Sequence, residues 1–512
     1  MREPVSAAIV ALSLTGVLAL TAKSGVTLAG NEASRLATVD ALVEDRTFAI
    51  DGSVFRTVDC VYANGRTYSD KPPLLSLFLA LPYAALSGGL GLSFRNPETA
   101  AAAVRLVTIL GIVPFAVGTA LLVRRRLRDR GWGNRAAAAL AILSIGSTWL
   151  LPYATTVSNH VPAAFLLTAA WIVLTGATCS PRRCAAAGAL VGLLLLVDPL
   201  SGLGAAAVFA GTLAVRGEGR RLAAFVVPVL SAAAAGAALN VASHGSAIPA
   251  YLLPYGRAVA TGAFQGSPAG IAAPGIDAEY AWNVTFGSRG LFSHMPALLF
   301  GVAAGIRGLH AARIRNGARA AARPAPGGPS ALALVLVVGG AYALLTDDYG
   351  GWAYGCRYLV PLIPLLFLAA CEGLHGLLRG GARRAVVAGW VTLVAVGVLT
   401  SAVGAWNPWP VCFEGAATRA RLSAGSRGAF LDDHARSPFL VNALCLAVRH
   451  GMPGADPLAR AALGVRDASD PIARLYLERA RRNARGSGAM VAGLDGDASQ
   501  RPAVGAERSG NP

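Results

Sequence analysis

Long apolar stretches alternate with short polar ones along most of this chain. They fall near residues 5–28, 72–92, 100–123, 135–153, 161–178, 184–197, 201–215, 222–242, 291–306, 330–346, 357–378 and 385–406. An apolar run of ~18 residues can cross a ~30 Å hydrocarbon core as a helix, and a helix satisfies its own backbone where no water is present. The pattern predicts an all-α integral membrane protein, a polytopic helical bundle of about 11–13 spans. The first segment lacks a convincing small-residue cleavage site and reads as a retained span.

Charge orders the segments. Arg124-Arg125-Arg126, Arg182-Arg183, Arg216 to Arg221, Arg313 to Arg323 and Arg379 to Arg384 separate alternate ones. Placing all five runs in the cytoplasm makes every segment from residue 100 onward alternate correctly. His160, the Asp198-Pro199 break, the 243–290 and 347–356 loops and the chain after Trp406 then face outward. The 72–92 segment fits only if it re-enters and returns or violates the charge rule, and its Pro82 and Gly88-Gly89 suit an irregular path.

Composition agrees with this division. Of 512 residues, 54% are hydrophobic and only 14% charged, against roughly 25% charged in soluble domains. The net charge of +18 resides in the arginine runs, with no aromatic-interleaved basic domain, so no nucleic-acid partner is expected. The seven cysteines lack metal-ligand spacing, and at most one bridge among Cys60, Cys356, Cys412 and Cys445 is expected. Residues 1–406 read as the transmembrane domain. Residues 407–483 read as a small extracytoplasmic helical region, with two or three helices around 437–482, and 484–512 as a disordered tail.

The first outer loop, 30–71, carries the most chemistry. Leu36, Val39 and Val43 share a helical stripe, with Asp40 and Glu44 on another face. That spacing predicts an amphipathic helix lying on the membrane surface. Glu32 and Arg35 project together near its start. Asp59 follows, then Tyr68-Ser69-Asp70-Lys71-Pro72-Pro73 at the threshold of an apolar segment. Lys23 and Lys71 are the sole lysines among 45 basic residues. In so arginine-rich a chain a lysine persists where a compact point charge on a flexible stem is needed, and a phosphate oxygen is such a target. His160, Arg289 and Arg357 complete an outer-face set of candidate ligands, with the glycine-aromatic loop 349–358, which includes Trp352 and Tyr354, around the last of them. A carboxylate can take a proton from an acceptor hydroxyl, and cations can hold the charge on a departing phosphate.

The acid-x-x-Arg opening (Glu32, Arg35), the Tyr68-Ser69-Asp70-Lys71-Pro72-Pro73 element and the Arg357-Tyr358…Pro361 stretch resemble the GT-C superfamily of polytopic membrane glycosyltransferases, in particular the protein O-mannosyltransferase and lipid A aminoarabinose transferase group. The resemblance implies a GT-C-like bundle with an outer-face catalytic loop in the plasma (inner) membrane, active site and C-terminus extracytoplasmic. It implies a polyprenyl-phosphate sugar donor and a glycan, lipid or protein acceptor. Glu32 or Asp59 (or Asp51) would be the catalytic base, since many relatives open the loop with Asp-Glu where this chain has Asn31-Glu32. Arg35, Asp70, Lys71, His160, Arg289 and Arg357 would bind substrate, and some relatives hold a divalent metal near the acid that is here Asp70. A non-catalytic lipid-linked-sugar binder or flippase is the alternative, favoured by Asn31.

Overall fold

The computed structural model describes residues 3–24, 30–57, 59–176, 180–252, 278–314, 327–345, 353–379, 384–409 and 437–450, together with Met452 and Leu458. Its helices are α1 (Glu3–Thr21), α2 (Gly30–Glu44), α3 (Pro73–Leu90), α4 (Ala100–Gly111), α5 (Val113–Asp129), α6 (Asn134–Gly146), α7 (Leu150–Ala154), α8 (His160–Leu174) and α9 (Pro181–Val197). They continue as α10 (Pro199–Val215), α11 (Gly219–His244), α12 (Ala278–Thr285), α13 (Leu291–His294), α14 (Leu299–Ile314), α15 (Gly327–Leu345), α16 (Ile363–Arg379), α17 (Arg384–Trp406) and α18 (Pro438–Arg449).

Each apolar segment of the sequence contains helix, although 100–123, 135–153 and 291–306 are each divided between two helices. Among the described residues six helical stretches are long and apolar enough to cross a membrane, and five shorter apolar helices accompany them. The chain is an all-α polytopic membrane protein. Its apolar side chains divide between core and outer surface as a bilayer allows. Val227 and Leu230 of α11 are 61% and 62% exposed, while α16 is buried along most of its length. An exposed apolar belt costs nothing where lipid is the solvent. Without a hydrophobic drive between helices, close backbone approach holds them together. At Gly188 of α9 a Cβ would collide with the Phe225 carbonyl oxygen of α11, so glycine there sets how near the two helices lie.

Two expectations change. The 72–92 segment takes no irregular path: α3 runs unbroken through Pro82 and ends at Gly91 in the left-handed conformation. Pro73 in its first turn lacks only an N–H that no carbonyl would have met. The α2 helix is not exposed as an amphipathic surface helix would be. Asn31 through Ala41 are all buried, because its polar face meets protein groups rather than water. Among the described residues Cys60, Cys356 and Cys445 are buried and form no disulfide with one another; Cys412 lies outside the described residues, as do Trp352 and most of 407–512, the 484–512 tail included.

One element was unexpected. Strands β1 (Cys60–Ala63) and β2 (Arg66–Ser69) pair antiparallel, Cys60 opposite Ser69 and Ala63 opposite Arg66. Asn64 and Gly65 join them with φ of 51° and 77°, the two positive φ values of the tight turn that Asn-Gly favours. The Asn64 side-chain amide donates to the His244 carbonyl across 3.1 Å, docking the hairpin on the end of α11. The hairpin then delivers Ser69, Asp70 and Lys71 straight into the first turn of α3.

Candidate active site

The loop that carries the chemistry is held rigid by its own polar groups. Glu44, at the end of α2, accepts from the Tyr83 hydroxyl at 2.6 Å and the Ser87 hydroxyl at 3.1 Å, both on α3. Arg95 binds Asp40 at 3.1 Å and Asp45 at 2.6 Å. Asp45 is held below the usual carboxylate range, first by the hydrogen bond from Arg95. The Ser34 hydroxyl lies 2.6 Å from both the Asp59 carbonyl oxygen and the Ser69 hydroxyl, tying α2 to the hairpin.

Lys71 sits between two acids. Its Nζ is 2.8 Å from Asp59 and 3.1 Å from Asp70, and the Asp70 side chain is fully buried. Asp59 reaches this place because residue 30 is glycine: a Cβ there would stand 2.9 Å from the Asp59 carboxyl carbon. Arg35, buried in α2, donates through Nε to the Asn31 side-chain oxygen at 3.3 Å. Burial pulls its guanidinium down to about 10, against the fields of Asp70, Asp198 and Asp59, while Arg357 adds to the lowering. It stays charged at neutral pH, and it stands within the electrostatic reach of both halves of the site.

The other half gathers around Glu32. This carboxylate is fully buried. Its Oε1 accepts from the Thr156 hydroxyl at 2.5 Å and the Val157 amide at 3.3 Å. Thr156 in turn accepts from the Trp409 indole N–H at 3.3 Å. The Arg357 guanidinium carbon lies 5.5 Å from the Trp409 ring centroid, a cation over an aromatic face. His160 opens α8 and donates or accepts through Nδ1 with Asp198 at 3.0 Å. Asp198 caps α10 by accepting from the Ser201 amide at 3.3 Å and also takes the Asn159 side-chain amide at 3.3 Å. Such a carboxylate fixes which histidine nitrogen carries the proton, leaving Nε2 for another partner. Arg289 is buried, and with Arg357 lies in the electrostatic neighbourhood of the Tyr153 hydroxyl.

Thus Glu32, Arg35, Asp59, Asp70, Lys71, His160, Arg289 and Arg357 occupy one neighbourhood, drawn from the first loop and the mouths of several spans. Asp51 stands apart, accepting from the Thr67 amide at 3.0 Å on the hairpin's exposed side. The sequence reading missed Thr156, Val157 and Trp409 as partners of Glu32. No local motif marks them, and Trp409 follows the last span like an ordinary interfacial aromatic.

Beside Lys71 opens a cavity of about 330 Å³, lined by Tyr68, Lys71, Leu196, Leu203, Ala237 and Tyr251 among others. Its walls are largely apolar and come from the hairpin, α9, α10 and α11. A lysine amine borders a largely apolar cavity.

Among the described residues no three His, Cys, Asp or Glu side chains converge as metal ligands. Asp59 and Asp70 already share the Lys71 ammonium, so a divalent ion near Asp70 would have to displace it.

Fold and site define a polytopic membrane protein with a buried ionic centre beside a largely apolar cavity. No family model and no curated protein matches the chain. Among solved structures it is similar to that of ArnT from Cupriavidus metallidurans bound to undecaprenyl phosphate, at 14% identity and a TM-score of 0.46, over 92% of this chain and 76% of that one. A likeness this distant carries no argument about what this chain binds or does.

Proposed function

We propose that this chain is a GT-C-type membrane glycosyltransferase that moves a sugar from a polyprenyl-phosphate donor to an envelope acceptor hydroxyl at the outer membrane face. The observation that carries this reading is the position of Lys71. It is one of two lysines in the chain, it sits between Asp59 and Asp70, and it borders the apolar cavity. A polyprenyl phosphate has this shape, a long hydrocarbon ending in an anion.

In the reaction the prenyl chain lies in the cavity and the phosphate exchanges with Asp59 for the Lys71 ammonium. Arg35, Arg289 and Arg357 supply further positive charge near it. Glu32 takes the acceptor's proton as its oxygen attacks the anomeric carbon. The carbon–oxygen bond to phosphate breaks, and its electrons stay on the phosphate, where the cations stabilise them. Attack opposite the leaving group inverts the anomeric centre. Asp59 is the second candidate for the base, but its carboxylate is engaged by Lys71 in the resting protein. His160, oriented by Asp198, presents Nε2 to the sugar or acceptor. Burial of the cluster excludes water, which limits hydrolysis of the donor.

The test is transfer from labelled polyprenyl-phosphate sugars by the purified protein. Release of free polyprenyl phosphate that disappears in Lys71→Ala and Glu32→Gln supports the reading. Full activity in both variants overturns the mechanism. Saturable lipid binding without release of polyprenyl phosphate makes the chain a binder or flippase instead.

A further inference from the structure

The chain beyond the last span folds back into the site. In α18, the Asn442 side-chain amide donates to the Val403 carbonyl at 3.3 Å and the Asn407 carbonyl at 2.8 Å. The Asn407 side-chain oxygen accepts from the Trp409 amide at 3.3 Å, and the Tyr354 amide donates to the Pro408 carbonyl at 3.0 Å. These bonds turn Trp409 inward until it is 2% exposed. Its ring meets the edge of Tyr153 at 5.4 Å between centroids.

Two contacts of the indole matter chemically. An indole N–H only donates, whereas a threonine hydroxyl carries one proton and rotates to suit its neighbours. Because Trp409 Nε1 donates to the Thr156 oxygen, the hydroxyl's own proton is directed elsewhere, and Glu32 Oε1 stands 2.5 Å away. The indole therefore decides which way the Thr156 proton points, and so fixes how Thr156 holds Glu32. The indole face, meanwhile, supports Arg357.

We propose that Trp409 is a positioning residue that couples the proton acceptor Glu32 to the phosphate-binding Arg357, making the segment after the last span part of the site. This rests on the role of Glu32 given above. It extends that role to residues 407–409 and to α18, which holds them through Asn442.

The experiment separates the two contacts in the full-length protein in lipid nanodiscs. Trp409→Phe keeps an aromatic face and loses the N–H; Trp409→Leu loses both. Expected for Trp409→Phe is a ~10-fold fall in kcat with donor KM within about twofold of wild type. Thr156→Val, which loses the hydroxyl between the two, is expected to show the same fall in kcat, and Thr156→Ser to restore it. Trp409→Leu additionally weakens binding of polyprenyl phosphate itself by roughly fivefold or more. A merely structural tryptophan would lower thermal stability without separating kcat from KM. Wild-type kcat in Trp409→Phe and Thr156→Val overturns the proposal. So does unchanged polyprenyl-phosphate affinity in Trp409→Leu, a result readable even in a protein that does not turn over. Failure of the glycosyltransferase reading looks different: wild type then binds lipid and releases no polyprenyl phosphate.

Discussion

Lys71 stands 2.8 Å from Asp59, although the two are separated in sequence by an entire β-hairpin. The hairpin makes the encounter: pairing Cys60 with Ser69 brings the residue before the first strand alongside the two after the second. One ammonium then serves two carboxylates, one of them fully buried. A pair held this way is costly to break from either side.

Replacing Lys71 by Ala is expected to abolish lipid-phosphate binding and to destabilise the fold by on the order of 3 kcal/mol, because Asp70 is left charged and buried. Lys71→Arg should restore most of the stability but little of the turnover, since a planar guanidinium cannot reproduce a point charge at the same place. Thermal unfolding in detergent and lipid-binding titration read the two effects separately.

The base can be assigned by comparing Glu32→Gln with Asp59→Asn. Glu32→Gln is expected to lower kcat by about 10²–10⁴-fold, the range general-base catalysis supplies. Asp59→Asn should act mainly on donor KM, since its carboxylate competes with phosphate for Lys71. Single-turnover assays at saturating donor distinguish the outcomes, and the reverse pattern would make Asp59 the base.

Asp198→Asn removes the charge behind His160 and weakens the α10 cap. The cap contributes about 1 kcal/mol, and the buried partner more, so a loss of roughly 2–3 kcal/mol is expected from thermal unfolding. His160→Gln should cost less stability than Asp198→Asn, because it leaves the cap intact.

Tyr83→Phe leaves Glu44 without its 2.6 Å donor. Stability should fall by about 1–2 kcal/mol, while kcat at saturating donor stays within about twofold if the loop still docks.

Acid sensitivity near the loop should trace to Asp45. Its carboxyl is held below the ordinary range by Arg95, so the pair's contribution is fully present above the unfolded-state value near pH ~4. It is lost as pH falls through the lower folded value. Both side chains are about one-third exposed, so the effect is small and shrinks with salt. A pH series of unfolding midpoints should show a slope below pH ~4 that Asp45→Asn flattens.

How far the sequence reaches can be seen from particular residues. The Asp198-Pro199 break, the start of α8 at His160 and the helix after Pro72 were all legible, since proline, a capping acid and a continuous apolar run act within a few residues of chain. The α2 helix was legible as a helix, but its place was not. A stripe of Leu36, Val39 and Val43 beside Asp40 and Glu44 looks the same whether the polar face meets water or meets Arg95 and Tyr83. The Asn64-Gly65 turn was available as a hairpin signal and was overshadowed by the charged residues around it.

The sequence alone settled that this chain lives in a bilayer, which stretches of it are helical, and which charged residues lie between them, because these follow from hydrophobicity and local backbone chemistry. Tertiary structure alone decided that Thr156 and Trp409 attend Glu32 and that Asp198 attends His160. Those partners come from separate spans, and apolar helices are nearly interchangeable in lipid. Which helix lies beside which depends on close backbone approach, as at Gly188 against Phe225, and no stretch of chain encodes that by itself.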